Sequence, residues 1–216
     1  MTTFWWDKQR YIQQRFTCFW GCSIVFVNPL WRIIIEGREK MRDEPRIYIC
    51  NHQSMLDILT LYYTHGFFRW IAKQELMKFP ILGWVMYLNQ DIPISRGDKK
   101  STIKLMEKTQ KHIQNGVSIM IFPEGTRSKD GSIKRFKEGA FKMALQNKVP
   151  IHPIILDGAQ TALPKGSLLL RKKQRIILRV FDEIPYEQFK DKSVATLTKE
   201  MYYFYKKQLN ELRMER

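Results

Sequence analysis

Apolar residues along this chain fall into short runs set between amphipathic stretches, the pattern of strands alternating with helices. Ile33-Ile34-Ile35 and Ile47-Tyr48-Ile49 read as short buried strands, and 67–71, 117–122, 151–156 and 175–181 read as four more. A further strand end falls in Asp91-Ile92-Pro93-Ile94-Ser95-Arg96. Between these lie the helices. Ser54 is placed to cap one that runs to about Tyr63. Asp98 or Ser101 opens another, with Ile103, Met106 and Ile113 on one side, and Asn115-Gly116 stops it. Residues 138–146 read as helical, and 193–212 as a long closing helix with Leu197, Met201, Phe204 and Tyr205 facing inward. Helices between successive strands predict an α/β fold, layered α/β/α with a largely parallel central sheet. The chain has no internal repeat and no low-complexity linker.

The first thirty residues break this pattern. Phe4, Trp5, Trp6, Tyr11, Phe16, Phe19, Trp20, Phe26 and Trp31 crowd one short segment, and sixteen uncharged residues separate Arg15 from Arg32. A membrane-spanning helix needs roughly 20 apolar residues, and Asn28-Pro29 interrupts this run. Aromatic rings and flanking basic residues around a short apolar helix suit the membrane interface instead. The reading is therefore an aromatic helical membrane-interface segment over 1–30, followed by one catalytic domain over 31–216. The aromatic segment is the one stretch whose pattern suits the bilayer interface.

Composition narrows the class. The chain has 216 residues, 44% of them hydrophobic and 27% charged, enough to bury a core without a metal or disulfide. Its 37 Lys and Arg against 21 Asp and Glu give +16, which favours a polyanionic partner. Basic residues gather at Lys134, Arg135, Lys137 and Lys142, and again at Arg171-Lys172-Lys173. No aromatic-interleaved nucleic-acid platform accompanies them outside the N-terminus, so an anionic membrane surface is the expected partner and nucleic acid is not. Cys18, Cys22 and Cys50 have neither metal-ligand nor disulfide spacing, and no metal site is expected.

Two strand ends carry candidate chemistry. Asn51-His52-Gln53-Ser54-Met55-Leu56-Asp57 follows a buried strand, so His52 stands where α/β folds place their sites. Asp57, about one helical turn on, can orient the imidazole and leave its other nitrogen as a general base. No G-x-S-x-G nucleophile motif is present, so the base is read as acting on the substrate's own hydroxyl. Phe122-Pro123-Glu124-Gly125-Thr126-Arg127-Ser128 follows the second strand. There Arg127 can hold a phosphate, Gly125 permits close backbone approach, and Glu124 can orient a hydroxyl or pair with an arginine. Arg96 ends a third strand.

These two blocks, about seventy residues apart and in order, resemble the first and third blocks of the 1-acylglycerol-3-phosphate acyltransferases, within the glycerolipid acyltransferase superfamily. Ile92-Pro93-Ile94-Ser95-Arg96 resembles the second block more loosely, and Val149-Pro150-Ile151-His152-Pro153-Ile154 the fourth, with His152 where the family is usually apolar. The resemblance spans residues 31–185. It implies transfer of a fatty acyl group from acyl-CoA or acyl carrier protein to the 2-hydroxyl of 1-acylglycerol 3-phosphate, without a further cofactor, by a membrane-associated enzyme on a cytoplasmic face. It makes His52 the base and Asp57 its orienter. It assigns Arg96, Glu124, Gly125, Thr126 and Arg127 to the acceptor, with Lys73, Asn51 and Ser54 as further candidates. Two alternatives stay open here: the same chemistry on another acceptor, and a non-catalytic basic membrane- or nucleic-acid-binding protein.

Overall fold

Seven strands form one sheet in the order β1-β7-β6-β2-β5-β3-β4, in a computed structural model that describes residues 7–95, 97–164 and 173–215. The strands are β1 (Trp31–Glu36), β2 (Ile47–Cys50), β3 (Phe68–Lys73), β4 (Ile92–Ile94), β5 (Ser118–Ile121), β6 (Ile151–Asp157) and β7 (Gln174–Val180). Only the β6–β7 pair is antiparallel. The two central strands β2 and β6 are buried at every position, which is why they read as largely apolar runs, broken in β6 by His152. Pro93 lies in β4, an edge strand, where a missing N–H costs no ladder bond.

Alternate residues of each strand serve opposite layers. Ile47 and Ile49 pack into a core with Leu105 and Ile113 of α4 (Lys99–Gln114), Phe141 of α5 (Gly139–Asn147) and Leu197, Met201 and Tyr205 of α7 (Val194–Met214). Tyr48 and Cys50 face a second core. It holds Cys18 and Val25 of α1 (Tyr11–Phe26), Leu56 and Leu61 of α2 (Leu56–Tyr62), and Ala159 of α6 (Ala159–Ala162). This is the layered α/β/α arrangement the hydrophobic pattern predicts.

Three local readings need correction. The helix after β2 begins at Leu56 rather than at Ser54: the Ser54 hydroxyl accepts the Leu56 N–H and donates to Leu163 O. Ile103 is exposed, because α4 seats itself on Leu105, Thr109 and Ile113, and position 103 turns away from that stripe. An unpredicted helix, α3 (Leu82–Leu88), lies between β3 and β4. Arg96, Phe4 to Trp6, Arg171 and Lys172 lie outside the described residues.

α1 ends at Phe26, before Asn28-Pro29, and is packed into the body of the domain. Gln14, Thr17, Cys18, Gly21 and Val25 face inward, while Phe16, Phe19, Trp20 and Phe26 are exposed. The helix therefore buries small and polar residues and presents its aromatics outward, the reverse of a helix facing water. Among the described residues no helix is long and apolar enough to cross a membrane.

His152 is fully buried, its ring 5.0 Å from that of Tyr48. Burial, aided by the charge of Arg46, pushes its pKa down to about 4. The folded state thus resists protonation, so its contribution to stability is complete above the ordinary value of 6.5 and is lost as pH falls towards 4. Denaturant titrations from pH 7 to pH 4 should show a loss of up to about 3 kcal/mol from this group. His152→Phe should remove that part of the slope; an unchanged slope would show that the ring is protonated within the fold at no cost.

Candidate active site

The C-terminal ends of β2, β5 and β3 lie side by side along one edge of the sheet, and the candidate residues sit on the turns that leave them. Beneath this edge the β2–β6 pair is closed by side chains. The Tyr205 hydroxyl donates to Ile49 O and accepts from Ile154 N, filling a rung between the two strands. Two residues further, the Asn51 amide donates to Leu156 O and accepts from Leu156 N, both at 2.8 Å, so it pairs like backbone. Asn51 is buried and serves the sheet.

His52 rides on this platform. Its N–H donates to Glu124 Oε1 at 2.8 Å, its carbonyl accepts Ser128 N–H at 2.8 Å, and its Nδ1 lies 2.7 Å from Asp57 Oδ2. The same Asp57 oxygen accepts Gln53 N–H at 2.6 Å and Ser54 N–H at 2.9 Å. The fully buried carboxylate therefore closes the turn that leads into α2 and orients the imidazole in one gesture. The His52 ring stacks on Phe122 at 4.0 Å, and Phe122 stacks on Trp70 at 5.4 Å. Nε2 is the only hydrogen-bonding atom of His52 left uncommitted among the described residues, and the side chain is 15% exposed. A carboxylate only accepts, so Nδ1 carries the proton and Nε2 presents a lone pair, the arrangement of a general base.

The turn after β5 brings Glu124, Gly125, Thr126 and Arg127 to the same edge. Glu124 is buried rather than presented to a ligand. Its Oε1 takes His52 N–H and its Oε2 takes Lys134 N–H at 3.0 Å, which ties the histidine turn to the basic loop. Burial pushes its pKa up to about 7, against the pull of those two N–H groups. Gly125 has φ +67, and an added Cβ would meet the Lys137 side chain at 3.1 Å. Thr126 is exposed. Arg127 is half-buried, its carbonyl accepts the Lys134 ammonium at 3.0 Å, and its guanidinium is uncommitted among the described residues. Arg127, Lys134 and Lys137 thus gather cationic groups beside the histidine turn.

Lys73 ends β3, two strands from β2 and so about 10 Å along the edge, and pairs with Glu75 at 2.9 Å. Ser54 spends its hydroxyl on Leu163 and Leu56, as described above. The three thiols take no part. Cys18 is pushed up to about 12 by burial, and Cys50 well above its ordinary value.

Contacts that join distant segments escaped the sequence. Arg213, near the end of α7, donates to Asp157 Oδ1 and Gly131 O, and Gln53 donates to the same two acceptors. The closing helix is thereby linked to the residue after His52. Only the polarity of Gln53, immediately after the histidine, hinted at this.

An imidazole–carboxylate pair stands at the end of a parallel strand, and the neighbouring turn carries an arginine uncommitted among the described residues, an arrangement able to accept a proton and to hold an anion. The Acyltransferase family profile matches residues 32–157, more than half of the chain and the span that carries both turns. The chain belongs to this acyltransferase family. It is 34% identical over 182 residues to a 1-acyl-sn-glycerol-3-phosphate acyltransferase of Chlamydomonas reinhardtii, covering 83% of this chain and 54% of that protein. It is 39% identical over 145 residues to a chloroplastic 1-acyl-sn-glycerol-3-phosphate acyltransferase of Arabidopsis thaliana, covering 66% of this chain and 41% of that one. The chain therefore spans about half the length, or less, of these curated relatives. The crystal structure of the 1-acyl-sn-glycerophosphate acyltransferase PlsC from Thermotoga maritima superposes with a TM-score of 0.77 at 25% identity, over 92% of this chain and 79% of that one.

Proposed function

We propose that the chain moves a fatty acyl group from an acyl thioester, on coenzyme A or acyl carrier protein, to the 2-hydroxyl of 1-acylglycerol 3-phosphate, giving phosphatidic acid and free thiol. The observation that carries this reading is the single uncommitted atom of His52, Nε2, on a turn that the Ser128 N–H to His52 carbonyl bond ties to the turn bearing Arg127. The names of the relatives above support the acceptor. The acceptor oxygen attacks the thioester carbonyl as its proton passes to His52 Nε2. Collapse breaks the C–S bond, and the imidazolium returns its proton to the departing sulfur. A thiolate leaves readily, so no acyl-enzyme is required. Asp57 holds the ring and offsets the charge that forms on it.

The acceptor's phosphate is assigned to Arg127, with Lys134 and Lys137 adding charge and Gly125 leaving room for the approach. Arg96 is assigned to the acceptor with Arg127, and Lys73 stays a further candidate. Charge-assisted hydrogen bonds of this kind are worth about 1.5–3 kcal/mol, or roughly 10- to 150-fold. Arg127→Ala should raise the KM for lysophosphatidate by that factor and leave the KM for the thioester unchanged. A panel of acceptors should show lysophosphatidate favoured over lysolipids whose phosphate is esterified. Equal rises in both KM values, or indifference to the free phosphate, would contradict the assignment.

The reaction as written needs no metal, since the base is a histidine already oriented by Asp57. Treatment with strong chelator should leave the rate unchanged; loss restored by one particular metal would refute this. We further infer that the chain works at a membrane surface, on the cytoplasmic face where thioester donors are made. The outward aromatics of α1 and the +16 charge support this reading.

A further inference from the structure

Among the described residues outside α1, exposed large apolar side chains concentrate in the segment that leads into and along α3. Phe79, Ile81, Trp84, Tyr87 and Leu88 all face solvent, Trp84 at 69% and Tyr87 at 70%. Only Gly83 and Met86 of α3 are buried, so the helix spends most of its apolar surface outward.

The backbone holds this surface out deliberately. Leu82 N–H donates to Pro80 O at 2.7 Å around Ile81, whose φ of 66° and ψ of −60° form a tight γ-turn of the rarer, strained kind. A β-branched residue at positive φ is an outlier that persists only where its surroundings impose it. Here they do. Gly83 packs so closely on the preceding turn that an added Cβ would stand 2.2 Å from Met77 O. Strain that displays an isoleucine between an exposed phenylalanine and an exposed tryptophan has no use in water.

The segment adjoins α1. The Thr17 hydroxyl hydrogen-bonds Asn89 Oδ1 at 3.1 Å, and Asn89 caps the end of α3. That bond joins the middle of α1 to the end of α3, and each helix carries exposed apolar side chains, Phe16 and Trp20 on α1 and Tyr87 and Leu88 on α3. α3 follows β3 after one short helical turn, Gln74–Lys78, and β3 ends on the edge of the sheet that carries His52. Charge names the occupant. Lys78 is exposed at the foot of the turn, and residues 8–35 hold Lys8, Arg10, Arg15 and Arg32 with no acidic residue. Aromatics and aliphatics rimmed by cations suit an anionic phospholipid bilayer.

We propose that the Phe79–Ile81 turn and the outer face of α3 are a second lipid-inserting prong. Together with α1 it seats the histidine edge of the sheet on an anionic phospholipid bilayer. This rests on the reading that the site acts on membrane lipid, and it adds a second segment to the N-terminal one that the sequence alone offered.

The test measures binding of the full chain to phosphatidylglycerol-containing vesicles by flotation. Three double variants are compared: Trp84→Ser with Tyr87→Ser, Phe16→Ser with Phe19→Ser, and Ile103→Ser with Tyr203→Ser as exposed apolar positions elsewhere. Partial insertion of two such side chains is worth about tenfold or more in affinity. The expected result is a loss of that size for each of the first two variants and none for the third. Acylation of a short-chain, water-soluble acceptor should be unchanged for the Trp84/Tyr87 variant, which also shows that it folds. If that variant bound vesicles like the parent while the Phe16/Phe19 variant did not, the second prong would be refuted and membrane docking through α1 would stand. If the parent chain itself failed to bind, the membrane reading would fall, and the prong with it. If Trp84/Tyr87 substitution abolished self-association in the absence of vesicles and left vesicle binding intact, the face would be a contact between copies and the proposal would be overturned.

Discussion

Replacing His52 by alanine is expected to lower kcat by roughly 100- to 10,000-fold, the usual worth of a positioned general base. The fold should survive. The side chain is the only part of His52 that is lost, and the peptide keeps its bonds to Glu124 and Ser128. Asp57→Asn should cost a loss in the same range for a different reason. The amide oxygen can still receive an N–H from Gln53 or Ser54, but the negative charge beside the imidazole is gone. Because the two residues act as one unit, the double variant should be little worse than either single one. Rates measured beside circular dichroism spectra check this. Retention of more than about a tenth of the activity by His52→Ala would end the general-base assignment.

Glu124→Ala is expected to be the most damaging substitution for the structure of the site. It strands two N–H groups, those of His52 and Lys134, that nothing else is placed to satisfy. Each unpaired buried donor costs about 1–3 kcal/mol, so a loss of about 2–6 kcal/mol in stability is expected if neither finds water. The histidine turn would loosen, and kcat should fall while the acceptor KM changes little. Glu124→Gln keeps one accepting oxygen and should recover part of both losses. A Glu124→Ala protein with unchanged melting temperature and a raised acceptor KM would instead restore the direct acceptor contact that the motif implied.

The reach of the sequence differs between these residues for a physical reason. Interior parallel strands are buried on both faces, so Ile47-Tyr48-Ile49 and 151–156 stand out as apolar runs, and with them the turn that carries His52. The His52–Asp57 pair is local, five residues apart on one turn, and was legible for that reason. The role of Glu124 was not, because it depends on a peptide 72 positions away in the chain. The Tyr205 rung and the Arg213–Asp157–Gln53 link join still more distant segments. α3 escaped notice because its pattern is that of a buried element. Nothing in its sequence marks which side of Leu82–Leu88 faces out, and the fold leaves Trp84, Tyr87 and Leu88 exposed. Ser54 was legible as a cap in that its hydroxyl accepts the first helical N–H, that of Leu56, but the Asp57 carboxylate, which collects the N–H groups of Gln53 and Ser54 ahead of the helix, was not.

The central claim is that the acyl group passes directly from thioester to acceptor hydroxyl while His52 takes the hydroxyl's proton. It is tested most directly by mixing the purified chain with acyl-CoA, with and without lysophosphatidate in vesicles, and following released thiol, phosphatidic acid and the intact protein mass together. The account predicts that thiol appears only with acceptor, in equal amount to phosphatidic acid, and that the protein mass never changes. Thiol released without acceptor together with an acylated protein would contradict it, since that would place a covalent intermediate where the structure holds only a base.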